Sequence, residues 1–267
     1  MAVVEMERIG HVALITLNRP EVLNAISPEV MCRLEEAWVE VASDDDIRAA
    51  IVTGTGRAFC AGADLGRLIP LTTGAREAED DYDRRVLADR TIGDRAILRN
   101  NDLDKPVIAA INGDAIAGGC ELVQGTDLRI AAAGARLGVQ EVKWGLFPMG
   151  GSSVRLPAQL PYAVAMEWLL TGRLVPAERA YELGFVNKVV PASEVVAEAM
   201  ALAEVIAANG PVAVRAIKAS AKACLGRPEA EALDLELQYG APIFRTEDAV
   251  EGPRAFMEKR TPNFTGR

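Results

Sequence analysis

Apolar and polar residues follow two different periods along the first 60 residues. Residues 9–17 (IGHVALITL) are rich in β-formers and end at the turn signal Asn18-Arg19-Pro20, which predicts a strand. Ser27 followed by Pro28 predicts the start of a helix, because Ser caps free N–H groups and Pro lacks one. The apolar face of this helix recurs at helical spacing: Met31, Leu34, Trp38 and Val41. Residues 47–53 predict a second strand.

The middle of the chain changes character and then returns to strands. Residues 66–105 are dense in charges of both signs, which favours either a mobile loop with a solvated helix, as in a lid, or an ordinary surface helix. PVIAAING (106–113) is a short apolar run that ends at Asn112-Gly113, and it predicts a buried strand. A glycine-rich bend, a short helix and a further strand follow. Strands separated by helices predict an α/β unit.

The pattern of helix start signals predicts a helical C-terminal part of the chain. Ser193, Pro211 and Pro228 each precede or open a predicted helix, and Thr246 is the predicted N-cap of the last one. No strand pattern follows about residue 190. We therefore expect an α/β region over 1–192 and a helical region over 193–267.

Charge and cysteine usage exclude several classes of protein. The net charge is −9, which argues against a nucleic-acid binder. Four scattered cysteines without a C-x-x-C motif suggest neither a zinc site nor a redox dithiol. The N-terminus lacks the pattern of a signal peptide, and no apolar run approaches the roughly eighteen residues of a membrane helix. We expect a cytoplasmic protein without metal.

The single histidine narrows the chemistry further. His11 lies on the predicted first strand, so any Ser-His-Asp or Cys-His pair would have to use it. If the protein is an enzyme that transfers protons, carboxylates are the expected carriers.

Three glycine-rich segments carry candidate chemistry: residues 54–65, 111–122 and 138–151. The first lacks the third glycine of a dinucleotide fingerprint, because Phe59 occupies that position. In the second, Gly118-Gly119 opens a helix whose N–H groups could hold an oxyanion. Glu121 and Glu141 each adjoin such backbone, and paired carboxylates can divide acid and base roles. Each alone also fits a simple helix-end or surface acid.

These segments resemble the enoyl-CoA hydratase/isomerase (crotonase) family. The resemblance covers nearly the whole chain, through LNRPEVLNAIS, GRAFCAGADL, NGDAIAGGCEL, QEVKWGLFPMGG, RLPAQLPYAVAMEWLLTGR, AERAYELGFVNKVVP and AFMEKRTPNFTG in order. It implies a spiral of ββα units with a helical C-terminal oligomerisation region, a homotrimer or dimer of trimers, and an acyl-CoA thioester substrate. It implies no further cofactor.

The resemblance also assigns candidate roles. Ala61 and Gly118 match the two N–H donors to the thioester oxygen, and Glu121 and Glu141 match the catalytic acids of hydratases. Both acids being present favours reversible hydration of a trans-2-enoyl-CoA. The alternatives are a Δ3-Δ2 isomerase or a specialised 3-hydroxyacyl-CoA dehydratase, and, more remotely, an RNA-binding homologue.

Substrate contacts follow the same resemblance. The positions that match the family's CoA contacts are Val22, Leu23, Ala25, Ala63, Asp64 and Leu65. Arg19 and Arg57 are candidate partners of the CoA phosphates. Trp144 and Phe147 stand where many members carry aliphatic residues and either shape the acyl pocket or fill the core.

Overall fold

Two sheets and a set of helices make up the computed structural model, which describes residues 2–100 and 103–267. The strands are β1 Val4–Ile9, β2 Val12–Leu17, β3 Ala49–Gly54, β4 Ala58–Cys60, β5 Val107–Ile111, β6 Asp114–Ile116, β7 Leu128–Ala132, β8 Arg136–Gly138, β9 Val175–Pro176 and β10 Lys188–Val190. The helices are α1 Pro28–Ser43, α2 Leu68–Thr72, α3 Asp81–Ala88, α4 Thr91–Ala96, α5 Gly118–Gly125, α6 Ser152–Gln159, α7 Tyr162–Thr171, α8 Ala177–Glu182, α9 Val195–Ala207, α10 Pro211–Cys224, α11 Glu229–Gly240 and α12 Glu247–Glu258.

From β3 to β8, successive strands alternate between the two sheets. The larger sheet has the order β1-β2-β3-β5-β7-β10, and the smaller has the order β4-β6-β8-β9. Strands β3, β5 and β7 pair in parallel in one sheet, while β4, β6 and β8 pair in parallel in the other. The chain therefore winds as a spiral in which two strands and a helix form each repeat, as the resemblance implies.

The local signals read from the sequence explain the first repeat. Ser27 accepts a hydrogen bond from the Val30 N–H and caps α1, as predicted. The predicted apolar face is buried at Leu34, Trp38 and Val41. Strands β3 and β5 are apolar almost throughout because both faces of the parallel sheet are covered.

The predicted first strand is wrong in its extent. β1 ends at Ile9 and pairs antiparallel with β2, which begins at Val12. The two-residue turn between them contains Gly10, with φ of +59°, and His11. His11 is therefore a turn residue, and its Nδ1 lies 2.8 Å from the Asp46 carbonyl oxygen. A single glycine gave too weak a signal to divide the apolar run.

The charged segment forms three short helices, α2, α3 and α4, where we predicted a loop followed by one helix. Ion pairs tie it together. Asp83, which is fully buried, accepts two hydrogen bonds from Arg76, at 2.6 and 2.9 Å. Arg95 pairs with Glu35 on α1. Residues 101 and 102 lie outside the described part of the chain.

The C-terminal helices begin close to their predicted starts. Pro211 opens α10, Pro228 precedes α11, and Thr246 caps α12 by accepting from the Ala249 N–H. Ser193 instead lies in a 3-10 turn, and α9 starts two residues later. Because α9 packs against β3, β5 and β7, it shares the core of the larger sheet. The division at residue 192 stays a prediction.

Within residues 2–100 and 103–267, no single helix is long and apolar enough to cross a membrane. One pair, Ala192–Ala207 with Pro211–Cys224, passes the same test of length and composition, with a bend of 106° between its two parts.

Candidate active site

The candidate site residues follow the carboxyl ends of three neighbouring parallel strands. β4 ends at Cys60 before Ala61–Ala63, β6 ends before Gly118, and β8 ends at Gly138 before Glu141. Ligands of α/β sheets bind at this edge, because the loops that leave it converge there. The fold thus brings the three glycine-rich segments to one place.

Two glycines allow these loops to touch. A methyl group at Gly119 would lie 2.4 Å from the Cys60 carbonyl oxygen, and one at Gly62 would lie 2.7 Å from Cβ of Ala117. Gly62 also has φ of +92°, which favours glycine. Ala117, the N-cap of α5, has a strained φ of +51°. Backbone of the first two segments is therefore in direct contact.

Ala61 does not supply a free N–H group. Its N–H donates to the Leu23 carbonyl oxygen at 3.0 Å. The N–H of Ala63, in contrast, is free within the described part of the chain. Ile26 forms a parallel bridge to Ala63, in which the Ile26 N–H donates to the Gly62 carbonyl and the Ile26 carbonyl accepts from the Asp64 N–H. In that pattern the N–H of the bridged residue points away from its partner. The expectation for Ala61 is therefore corrected, and Ala63 takes its place.

The Gly118 N–H lies beside that of Ala63. Gly118 is the first residue of α5, so its N–H has no partner within the helix. A methyl group at Gly118 would lie 3.7 Å from the Ala63 nitrogen. Among the described residues neither N–H has a hydrogen-bond acceptor. Two unpaired donors at a helix N-terminus suit an oxyanion.

Glu121 follows one turn into α5 and is 4% exposed. Its Oε1 accepts hydrogen bonds from the Ser152 hydroxyl at 2.9 Å and from the Ser152 N–H at 3.4 Å. Burial raises the pKa of the Glu121 carboxyl, while the bonds from Ser152 and Gly150 and the charge of Arg155 oppose that rise. The carboxylate is thus held by donors.

Glu141 opens a 3-10 turn, Glu141–Trp144, after β8. Its Oε2 is buried and has no hydrogen-bond partner in residues 2–100 and 103–267. Burial raises the pKa of this carboxyl to about 7, and the negative charge of Glu121 adds to the rise. The two carboxyls therefore interact, and their surroundings differ: Glu121 has several donors and Glu141 has an enclosed oxygen without one.

The loop before α1 forms one wall of the site. Leu23 and Asn24 both have positive φ, and the Asn24 amide closes the turn by donating to the carbonyls of Thr55 and Ala58 at 2.9 Å. This arrangement aims the Leu23 carbonyl at Ala61. Of the predicted CoA contacts, Val22 and Leu65 are exposed, Leu23, Ala63 and Asp64 are partly buried, and Ala25 is 9% exposed.

The two candidate arginines differ in their partners. Arg19 is largely buried and its Nη1 donates to Asp64 at 3.1 Å and to the Ala25 carbonyl at 2.7 Å. Asp64 also accepts from the N–H groups of Gly66 and Arg67. Both side chains therefore serve the loop itself. Arg57 is exposed and stays a candidate for a phosphate.

The two aromatic residues do not fill the core. Trp144 is 68% exposed and Phe147 is 67% exposed, in a loop that also exposes Met149. The core interpretation is wrong for both. Their loop ends at Gly150, which contacts the Glu121 carboxyl.

The sequence did not single out the groups that hold Glu121. Ser152 and Gln124 are buried, and Gln124 Nε2 donates to the Ser152 hydroxyl at 2.9 Å. The signal was present only as an unusual Ser152-Ser153 pair after two glycines. Among the described residues no three His, Cys, Asp or Glu side chains lie close enough together to hold a metal ion.

A family model described as enoyl-CoA hydratase/isomerase matches residues 7–267. The chain belongs to this family. An enoyl-CoA hydratase named EchA19 from Mycobacterium tuberculosis is 45% identical over 262 residues, which are 98% of this chain and 96% of that protein. An (E)-benzylidenesuccinyl-CoA hydratase from Thauera aromatica is 39% identical over 98% of this chain and 99% of its own length.

Solved structures agree with the observed topology. A putative enoyl-CoA hydratase/isomerase from Mycobacterium abscessus superposes with a TM-score of 0.88 and 40% identity, over 99% of this chain and all of that one. The predicted crotonase-like fold is therefore confirmed, as is the expectation that this family member is an enzyme.

Proposed function

We propose that the protein is an enoyl-CoA hydratase that reversibly adds water to a trans-2-enoyl-CoA and gives a 3-hydroxyacyl-CoA. The observation that carries this proposal is the meeting of a buried carboxyl, Glu121, and a partly buried one, Glu141, with two N–H groups that have no acceptor among the described residues. Membership of the family and relatives named as hydratases support it.

The N–H groups of Ala63 and Gly118 are proposed to bind the thioester oxygen. Attack of water at the β-carbon moves electrons onto that oxygen and forms an enolate. Donors fixed in place before the reaction stabilise this charge without reorganisation, and loss of one such donor typically costs about 10²–10³-fold in rate. Ala61 would act indirectly, because its bond to Leu23 fixes the loop.

Glu121 is proposed to be the base and Glu141 the acid. The donors around Glu121 favour its ionised form, which takes a proton from the attacking water. Glu141, with a pKa of about 7, retains a proton near neutral pH and delivers it to the α-carbon. Glu121 gains one proton and Glu141 loses one in each cycle. Transfer of a proton from Glu121 to Glu141 therefore restores the starting state of the enzyme.

The CoA moiety is proposed to lie along the wall formed by Val22, Leu23 and Ala25 and along residues 63–65. Asp64 would contribute backbone there, since its carboxylate is already bonded. Arg57 is the proposed phosphate partner. No further cofactor is needed for this chemistry, because the carboxyls supply both proton transfers.

The acyl chain is proposed to pass the loop that carries Trp144 and Phe147. These exposed aromatic side chains are suited to bury against a bulky or aromatic acyl group. The name of the Thauera aromatica relative concerns a substrate of that kind.

The protein is proposed to form a homotrimer or a dimer of trimers, with a second copy of this chain on the C-terminal helices. α10, α11 and the following turn line an apolar groove of about 760 Å³, with Ile217, Leu233, Leu237 and Phe244 exposed. Large apolar side chains exposed next to one another are typical of an interface. The four cysteines are free thiols, which supports a cytoplasmic location.

The decisive experiment is a kinetic panel of short linear, medium and bulky 2-enoyl-CoA thioesters, with product analysis in ¹⁸O-labelled water. We expect one labelled oxygen at the β-carbon. Conversion of a 3-enoyl-CoA without incorporation of label would instead favour the isomerase, and no reaction with any 2-enoyl thioester would remove the proposal.

A further inference from the structure

The Glu121 carboxyl lies against the N-terminus of α6. Ser152 is the first residue of that helix, and both its N–H and its hydroxyl donate to Oε1 of Glu121, at 3.4 and 2.9 Å. Ser152 is fully buried. Among the described residues, the Ser152 hydroxyl is the one side-chain group that donates to Glu121.

Gln124 fixes the direction of that hydroxyl. Gln124 lies three residues after Glu121 on α5, is 2% exposed, and donates from Nε2 to the Ser152 Oγ at 2.9 Å. A hydroxyl has one proton. Because Oγ accepts from the amide, its proton is free for Glu121, and an ionised Glu121 requires that arrangement. The three side chains form a chain of hydrogen bonds that runs in one direction.

Other charged and titratable groups also face Glu121. Arg155, on the next turn of α6, favours its ionised form, while Glu141 opposes it. The Cys120 thiol on α5 is buried, and burial raises its pKa to about 12, so it stays neutral. Arg155 donates to the Leu98 carbonyl at 2.5 Å, and no direct bond joins it to Glu121 among the described residues. The hydroxyl is therefore the closest side-chain support of the carboxylate.

We propose that Ser152, oriented by Gln124, is a positioning residue that holds Glu121 ionised and aimed at the attacking water. This inference rests on the proposed hydratase function. Ser152 itself does not touch the reacting atoms; it acts through Glu121. A purely structural Ser152 would change stability without changing the titration of the base.

The test is the pH profile of kcat/KM for Ser152→Ala, with Ser153→Ala as the matched control. Ser153 is the next residue on α6 and is exposed. In Ser152→Ala we expect the acidic limb to move up by about one pH unit, the effect of losing one hydrogen bond to a charged acceptor. Ser153→Ala should retain the wild-type profile, and Ser152→Thr, which retains the hydroxyl, should restore the limb.

Gln124→Met provides a second route to the same answer. It removes the donor that orients Ser152 and leaves the hydroxyl in place, so we expect a smaller shift in the same direction. If Ser152→Ala does not fold, the pH profile of Gln124→Met alone tests the inference.

The inference would be overturned if folded Ser152→Ala kept the acidic limb at its wild-type position. If Ser152→Ala is unfolded, the same result in Gln124→Met would overturn it. The proposed function fails differently: the wild-type enzyme would then show no hydration at any pH.

Discussion

Raising the pH above neutrality should stop the reaction by removing the proton of Glu141. The structure encloses this carboxyl and places it near the charge of Glu121, which raises its pKa to about 7. In the proposed mechanism the active form of the pair carries one proton, and it loses that proton as the pH rises through this value. Below it, activity is retained until Glu121 also becomes protonated.

The size of the effect follows from the pKa. One unit above its pKa, a group is about one-tenth protonated, so kcat/KM at about pH 8 should be near one-tenth of its plateau and fall about tenfold for each further unit. The profile of kcat/KM reports the ionisation of the free enzyme, so the pKa of Glu141 in the free protein sets the basic limb.

Measurement in both directions makes the assay stringent. Hydration of the enoyl thioester neither releases nor takes up a net proton, so the ratio of kcat/KM for hydration to kcat/KM for dehydration cannot change with pH. The two profiles should therefore have the same basic limb. Glu141→Gln should lower kcat/KM by about 10²–10⁴-fold and lose this limb, whereas Glu182→Gln, an exposed acid on α8, should change neither.

Two results would refute this reasoning. A wild-type kcat/KM that stays constant between about pH 7 and about pH 9 would show that the proton of Glu141 is not required. A residual activity of Glu141→Gln with an unchanged basic limb would assign that limb to another group.

Three further predictions concern the packing of the site, a buried ion pair and the proposed interface between copies of the chain. Gly119→Ala should lower the free energy of unfolding by more than about 2 kcal/mol and abolish activity, because its methyl group would lie 2.4 Å from the Cys60 carbonyl oxygen. Urea unfolding measures the change. The control is Gly252→Ala in α12, whose methyl group would make an ordinary contact with Phe264. Asp83→Asn should lower the free energy of unfolding by about 3 kcal/mol because it removes the buried negative charge that pairs with Arg76, whereas the exposed Asp81→Asn should change it hardly at all. The lowered pKa of Asp83, about 2 against 3.8, means that its contribution is present above about pH 4 and is lost as the pH falls towards 2. Leu237→Asp should reduce the molecular mass in light scattering to that of a monomer, while Val39→Asp, exposed on α1, should not; an unchanged mass would contradict the proposed interface.

Much of the fold could be predicted because its signals are local. The Ser27-Pro28 start of α1, the apolar run of β5 and the prolines before α10 and α11 depend on neighbouring residues alone. The three-residue strands β4, β6 and β8 could not be identified in this way. They are too short to show a period, and they exist because each pairs with the next repeat.

The two acidic residues of the candidate site could be predicted from the sequence. Of its two backbone N–H donors, only that of Gly118 could. Glu121 and Glu141 stand in distinctive motifs, and the fold brings both to the same edge. The choice between Ala61 and Ala63 depends on which N–H a distant carbonyl already binds, and Leu23 decides it. The role of Ser152 could not be predicted either, because its bond to Glu121 joins residues 31 positions apart.

The alternation of strands between two sheets has a consequence for how such an enzyme can diverge. The segment after β4 carries Ala63, the segment after β6, which includes α5, carries Gly118 and Glu121, and the segment after β8 carries Glu141. The two carboxyls proposed to carry protons thus belong to separate structural units. Replacement of the last segment would remove one proton carrier and leave the capacity to stabilise an enolate intact. Evolution could therefore change the product of the reaction through this one segment, while the enzyme keeps the groups that stabilise the enolate.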